Sequence, residues 1–255
     1  MHTLLLSLFS TKDIVHYMQD MKIIAHRGAS GLALENTIES IKAALDLHVE
    51  GIEIDVRRTK DGKLVVIHDN HTDRVSHQKA NIHHLTLKET QKIRLYNGQR
   101  IPTLEEVLKL TNNKKHIVID IKDRNVSDEL IRLLKKYPHD DMSFTGLQHA
   151  EMKKAFQALP HIPFYVQEHF SPFEVIQTAR RTGAAGISLN KWLMNPLTYY
   201  LARRHNLKIR LYTVNHPFMV RFMKLLYPGI EIFTNHPHKY VRSRHAITKR
   251  KAKTA

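Results

Sequence analysis

The sequence predicts an α/β fold built as one parallel (β/α)8 barrel. Three observations predict it. Eight short apolar stretches alternate with helix-patterned segments between residues 21 and 240, which is the β-α order of a parallel barrel. Polar residues recur at the C-terminal ends of these stretches, at Glu168, Asn190, Asn215 and Asn235, on the rim where such a barrel carries its site. The length, 255 residues, suits a single barrel of about 250 residues.

The first strand is Lys22 to Ala25, a short apolar run that ends in His26-Arg27-Gly28. After a loop with two glycines, Glu35 opens a helical pattern with Ile38, Ile41, Ala44, Leu45 and Val49 on one stripe. An acid at that point favours the helix macrodipole. The second strand runs from Gly51 to Val56. Glu53 and Asp55 alternate with Ile52, Ile54 and Val56, so a period of two sets both carboxylates on one face. Asp61-Gly62 signals a two-residue type I′ hairpin. Pairing about that turn matches Lys60 with Lys63 and Asp55 with His68, and directly opposed residues lie within ~5.5 Å.

The hairpin returns His68-Asp69. Residues 70–100 hold few long apolar runs and many histidines, and they read as a small insertion after the hairpin. The spacing of His71, His77, His83 and His84 matches no zinc pattern, so these read as surface residues. Thr103 with Glu106 three positions on is a capping box that starts the next helix. The strand from His116 to Lys122 places Asp120 and Lys122 on one face. Strands at 141–147, 162–168, 185–190, 208–215 and 230–234 follow. Helices at 151–159, 172–181, 196–206 and 217–227 lie between them, and the chain from His238 reads as helical. Trp192, the only tryptophan, follows a strand end, where a pocket wall and peripheral packing are both open.

Two aligned acids, a histidine across a hairpin and a His-Arg pair at another strand end make a poor device for stability alone. Buried charge is costly unless it is paired or bound to metal. Acidic oxygen ligands suit a hard cation, Mg²⁺ or Ca²⁺. Two histidines beside such a centre suit general acid and general base.

Composition narrows the classes. The net charge is +16, from 40 Lys and Arg against 24 Asp and Glu, with a basic tail over residues 241–255. That balance fits an anionic substrate or peripheral contact with an anionic membrane. No helix-turn-helix, zinc-finger or RNA-recognition signature accompanies it, so no specific nucleic-acid partner is expected. There is no cysteine, hence no disulfide framework, and the expected setting is the cytoplasm, membrane-peripheral at most. Residues 1–20 carry a seven-residue apolar run, Thr3 to Phe9, too short to span a membrane. They read as an N-terminal extension or a misannotated start.

His26-Arg27-Gly28, Glu35-Asn36-Thr37, Glu53-x-Asp55 and His68-Asp69, in this order and at these intervals, resemble the glycerophosphodiester phosphodiesterase family. The resemblance extends over roughly residues 21–240. It implies a TIM barrel that hydrolyses glycerophosphodiesters to glycerol 3-phosphate and an alcohol. It implies one divalent cation on Glu53, Asp55 and Asp120, with Glu35 as a fourth ligand to consider. It also implies Arg27 and Lys122 on the phosphate, Tyr212 along the glycerol pocket, and His26 and His68 as acid and base. The nucleophile it implies is the glycerol 2-hydroxyl, through a cyclic phosphate. Three positions depart from the family pattern: Leu34 stands for Pro, Asp120 for Glu and Asn235 for Asp. Two alternatives stay open, a lysophospholipase D acting on membrane lysolipids and a weakened barrel that only binds anions.

Overall fold

In the computed structural model, residues 22–168 and 171–241 are described. The readings made for residues 1–20 and for the tail beyond residue 241 lie outside them. Strands β1 (Lys22–Ala25), β2 (Gly51–Arg58), β3 (Leu64–Val66), β4 (His116–Ile121), β5 (Met142–Gly146), β6 (Phe164–Glu168), β7 (Gly186–Asn190), β8 (Lys208–Tyr212) and β9 (Glu231–Thr234) form one sheet. Its order is β1-β9-β8-β7-β6-β5-β4-β2-β3, and β1 also pairs with β2. Without β3, eight parallel strands therefore close on themselves. Closure leaves the barrel no open edge.

Helices α1 (Ile38–Leu45), α2 (Leu87–Thr90), α3 (Leu104–Thr111), α4 (Ser127–Lys136), α5 (His149–Ala158), α6 (Pro172–Thr182), α7 (Pro196–Arg204) and α8 (Pro217–Leu226) follow in chain order. The capping box at Thr103 and Glu106 is present. A second box forms at Thr37 and Ser40 and starts α1. Proline takes the first turn of α6, α7 and α8, where its missing N–H costs nothing. α4 bridges β4 and β5, a helix not among those expected from the sequence although its buried Leu130, Leu133 and Leu134, its first-turn acids and its last-turn lysines mark one. The segment after β9 forms only a short 3₁₀ turn, Pro237–Lys239, rather than the expected helix within the described residues.

The hairpin corrects one expectation. β3 pairs antiparallel with β2 in the register Val56↔Val66, Arg57↔Val65 and Arg58↔Leu64. Asp55 therefore faces Ile67, whose N–H donates to the Asp55 carbonyl at 3.0 Å. His68 is one residue further on, beyond the strand. The cause is the turn. Gly62 N–H donates to Thr59 O, and Thr59 pairs with Lys63. Of the turn residues only Gly62 has positive φ, 79°. This is a three-residue loop ending in a left-handed glycine, not a type I′ turn.

Residues 70–100 pack on the hairpin through a small cluster of their own, Val65, Ile67, Val75, Ile82, Ile93, Leu95 and Ile101. The main core lies between the sheet and the helices. Inside the barrel, Arg210 is 1% exposed. It donates to Glu231 at 2.7 Å and to Ser143 at 2.9 Å, and it lies 3.4 Å from the Tyr165 ring centroid. Ile24, Val118 and Phe233 pack as a separate apolar group, with Tyr212 against it. The interior is thus a filled plug beneath the C-terminal rim. Among the described residues no helix is long and apolar enough to cross a membrane.

Candidate active site

A cavity of about 340 Å³ opens at the C-terminal ends of the strands. β2 and β4 supply its acidic wall, because their register sets Asp55 directly beside Asp120 and Glu53 beside Val118. Ligand atoms of Glu53, Asp55 and Asp120 all lie within 4.8 Å of one another, and all three residues are buried. Among the described residues this is the one acidic or histidine group with metal-ligand spacing.

Charge around these acids is unevenly compensated. Burial works against ionisation of Asp55, but Lys122 and Arg27 outweigh it and hold its carboxyl below the usual range. Asn36 also donates to Asp55 Oδ2 at 2.7 Å. Glu53 is pushed well above the usual range by burial and then by Asp55 and Asp120. Burial raises Asp120 as well. Lys122 Nζ lies 2.6 Å from Asp120 Oδ2 and 3.0 Å from Asp55 Oδ1. Asp120 Oδ1 is buried with no hydrogen-bond partner, and the contact at Asp55 Oδ1 is an ion pair without hydrogen-bond geometry. Three crowded carboxylates with oxygen atoms left unsatisfied fit a hard divalent cation.

Arg27 has left-handed backbone, φ 57°. That turn aims its N–H at Glu53 Oε2, 2.8 Å away, and its guanidinium at Glu35 and Asp55, at 2.9 and 3.2 Å. The next residue must be glycine. Gly28 has φ 75°, and a Cβ there would lie 2.5 Å from Ser40 Oγ. Glu35 does not join the acidic group. Its two oxygens are taken by Arg27 and by Arg74, which lies 2.6 and 2.8 Å away. The structure therefore places Glu35 as an anchor for two arginines and not beside the three candidate ligands.

The two histidines line the same cavity but have different partners. His26 Nδ1 donates to Asn235 Oδ1 at 2.7 Å, and Asn235 N–H in turn donates to Asn215. Burial, then the charge of Arg27, lowers His26 to about 4. His68 Nδ1 meets Asp69 Oδ1 at 2.7 Å, and Arg74 Nε donates to the other Asp69 oxygen at 2.7 Å. Tyr212 reaches the cavity from β8, directly across the barrel from β4. Burial raises its hydroxyl to about 12.

Sequence reasoning missed four residues. Asn36 and Arg74 grip Asp55 and Glu35. Arg57 lines the cavity, donating to His68 O at 2.7 Å and to Asp123 at 2.5 Å. Thr145 also lines it, with a buried hydroxyl that has no partner. Their period-two positions on β2 and β5 were a usable signal for Arg57 and Thr145. Trp192 is 72% exposed and stands outside the cavity lining. Asn190 caps the turn that carries it.

Comparison with known proteins agrees with this geometry. The model of the glycerophosphoryl diester phosphodiesterase family matches residues 26–239. The Bacillus subtilis (strain 168) protein YhdW is 32% identical over 77% of this chain and 87% of its own. A glycerophosphodiester phosphodiesterase of Caldanaerobacter subterraneus subsp. tengcongensis is 36% identical over 55% of this chain and 63% of its own. Among solved structures, an Oleispira antarctica phosphodiesterase in complex with the product sn-glycerol-3-phosphate superposes with TM-score 0.78. It shows 23% identity over 89% of this chain and 96% of that one, a likeness of fold. The chain belongs to the glycerophosphoryl diester phosphodiesterase family.

Proposed function

We propose that this protein hydrolyses glycerophosphodiesters to glycerol 3-phosphate and an alcohol. The observation that carries the reading is the acidic group of Glu53, Asp55 and Asp120, of which Glu53 and Asp120 line one cavity with two histidines and three cations, Arg27, Arg57 and Lys122. Family membership and the names of the relatives support it.

Glu53, Asp55 and Asp120 would hold one Mg²⁺ or Ca²⁺. Such an ion supplies Lewis-acid polarisation of the phosphoryl oxygens. Arg27 and Lys122 face the same space, and their fixed charges stabilise negative charge building at phosphorus. Each is already oriented by carboxylates, so little reorganisation is needed. Tyr212 lines the same cavity and would wall the glycerol portion of the substrate.

The partners of the histidines divide their labour. Asn235 fixes Nδ1 of His26 as the donor and leaves Nε2 for proton exchange. Asn235 carries no charge, and burial keeps the ring neutral. Asp69 meets Nδ1 of His68 with a carboxylate where His26 has a neutral amide. His26 therefore takes the proton of the glycerol 2-hydroxyl as its oxygen attacks phosphorus. His68 gives a proton to the leaving alcohol as the P–O bond breaks. Water then opens the cyclic phosphate with the two roles exchanged. Phosphorus NMR of glycerophosphocholine turnover tests this. A transient cyclic glycerophosphate that converts to glycerol 3-phosphate is expected. Direct appearance of product from a substrate analogue lacking the 2-hydroxyl would contradict the route.

A further inference from the structure

One part of the surface is not used by the reaction. Among the described residues, nine large apolar side chains are exposed on the half of the barrel from β5 to β9. Six of them, Leu147, Phe173, Trp192, Leu197, Phe218 and Phe222, form one row, while Tyr200, Leu225 and Leu226 lie further along their helices. Leu147 directly follows β5, and Trp192 is the second residue after β7. Phe173, Leu197 and Phe218 each occupy the first turn of a helix that follows a strand, so all five stand at the C-terminal end of the barrel. Phe222 extends the row by stacking on Phe218, ring centroids 6.0 Å apart. Leu147 also lines the cavity. The apolar row is thus continuous with the mouth of the site. An exposed apolar surface of this kind marks an interaction site.

Its charge is as uneven as its polarity. From Val175 to Ile230 the sequence contains no Asp or Glu and nine Lys and Arg. Lys191 lies 5.1 Å from the Trp192 ring centroid, and Arg221 follows Phe218 by three positions on the same helix. Lys239 follows β9 on the same rim. The other basic residues of the stretch lie at helix C-termini, at the exposed start of β8 or inside the barrel and add only long-range field. Glu168 and Glu174 mark the edge. From Trp192 to Phe222, aromatic and aliphatic side chains beside lysine and arginine, with no carboxylate in the sequence between them, are the chemistry of an interface with anionic lipid. Leucine offers no stacking platform to a nucleic acid base.

We propose that this rim docks on an anionic lipid bilayer, with the mouth of the site turned toward the membrane. The proposal deepens the phosphodiesterase reading and rests on it for its substrates, glycerophosphodiesters whose alcohol portion is anchored in that bilayer. The test is co-sedimentation of the full chain with vesicles of phosphatidylcholine, with and without phosphatidylglycerol. The comparison protein is the double variant Trp192→Ser/Phe218→Ser. The wild type is expected to bind the anionic vesicles, less so at high salt, and the variant at least about tenfold more weakly. Turnover of soluble glycerophosphocholine should be the same in both. No binding by the wild type, or equal binding by both, would overturn the proposal. So would a dimer in sedimentation velocity that the double variant dissociates, since the row would then be a face for a second copy. Absence of turnover in both proteins would refute the phosphodiesterase reading alone, and the vesicle result would still decide the docking.

Discussion

Asp55 and Asp120 stand side by side on neighbouring parallel strands, each with an Oδ1 that no hydrogen bond satisfies. Lys122 reaches both carboxylates, while Glu53 completes the group without a cation of comparable closeness. The three acids are therefore unequal, and substitution should separate them.

Glu53→Gln is expected to raise the thermal stability of the metal-free protein, by about 1 kcal/mol, because it removes a carboxyl that burial and two neighbouring acids disfavour as an anion. Asp55→Asn should instead lower stability by roughly 3 kcal/mol, since it strips Arg27 and Lys122 of their shared partner. Both should lose phosphodiesterase turnover. Thermal melts of metal-stripped protein check the signs, and equal destabilisation by both would contradict the unequal compensation.

His26→Ala and His68→Ala should each lower turnover at least ~10²-fold, the scale of a lost general acid or base. Near-wild-type rates in both would remove the histidines from the reaction.

Burial and Arg27 depress the His26 ring, so it stays neutral through the physiological range and takes up a proton only near pH 4. Because an ordinary histidine protonates near pH 6.5, the unfolded chain binds this proton first. His26 thus contributes stability above that pH, and the contribution is lost as pH falls toward 4. Asn235→Asp places a carboxylate on Nδ1 and should raise the titration point. Imidazole NMR titration of both proteins reads it directly; a wild-type midpoint near 6.5 would contradict the assignment.

Arg74→Ala unties Asp69 from Glu35. The guanidinium is half exposed, so the cost in stability should stay below ~1 kcal/mol, whereas turnover should fall about tenfold as His68 loses its orientation. Arg74→Lys cannot span both acids in the same geometry and should recover only part of it. A stability loss in proportion to the activity loss would make Arg74 merely structural.

Much of this was legible in the sequence for stated reasons. Alternation places Glu53 and Asp55 on one face, and they do join one acidic group with Asp120. Helix and strand periods separate along most of the chain, so the barrel was countable. The hairpin register was not, because Asp61-Gly62 serves a three-residue loop as readily as a two-residue one, and the difference moves His68 off Asp55. Contacts between distant elements were also hidden. Nothing local marks Arg74 as the partner of Glu35, 39 positions away, so the sequence does not show that two arginines hold this carboxylate. Arg210, buried against Glu231 and Tyr165, looks like a surface residue until the barrel closes around it.

The measurement that tests the central claim most directly is glycerol 3-phosphate release from glycerophosphocholine and glycerophosphoethanolamine by metal-stripped protein, before and after Mg²⁺ or Ca²⁺ is restored. The account predicts negligible release without metal, recovery with at least one of the two ions, and no recovery in Asp120→Asn. Full release from metal-stripped protein, or none with either ion, would contradict it.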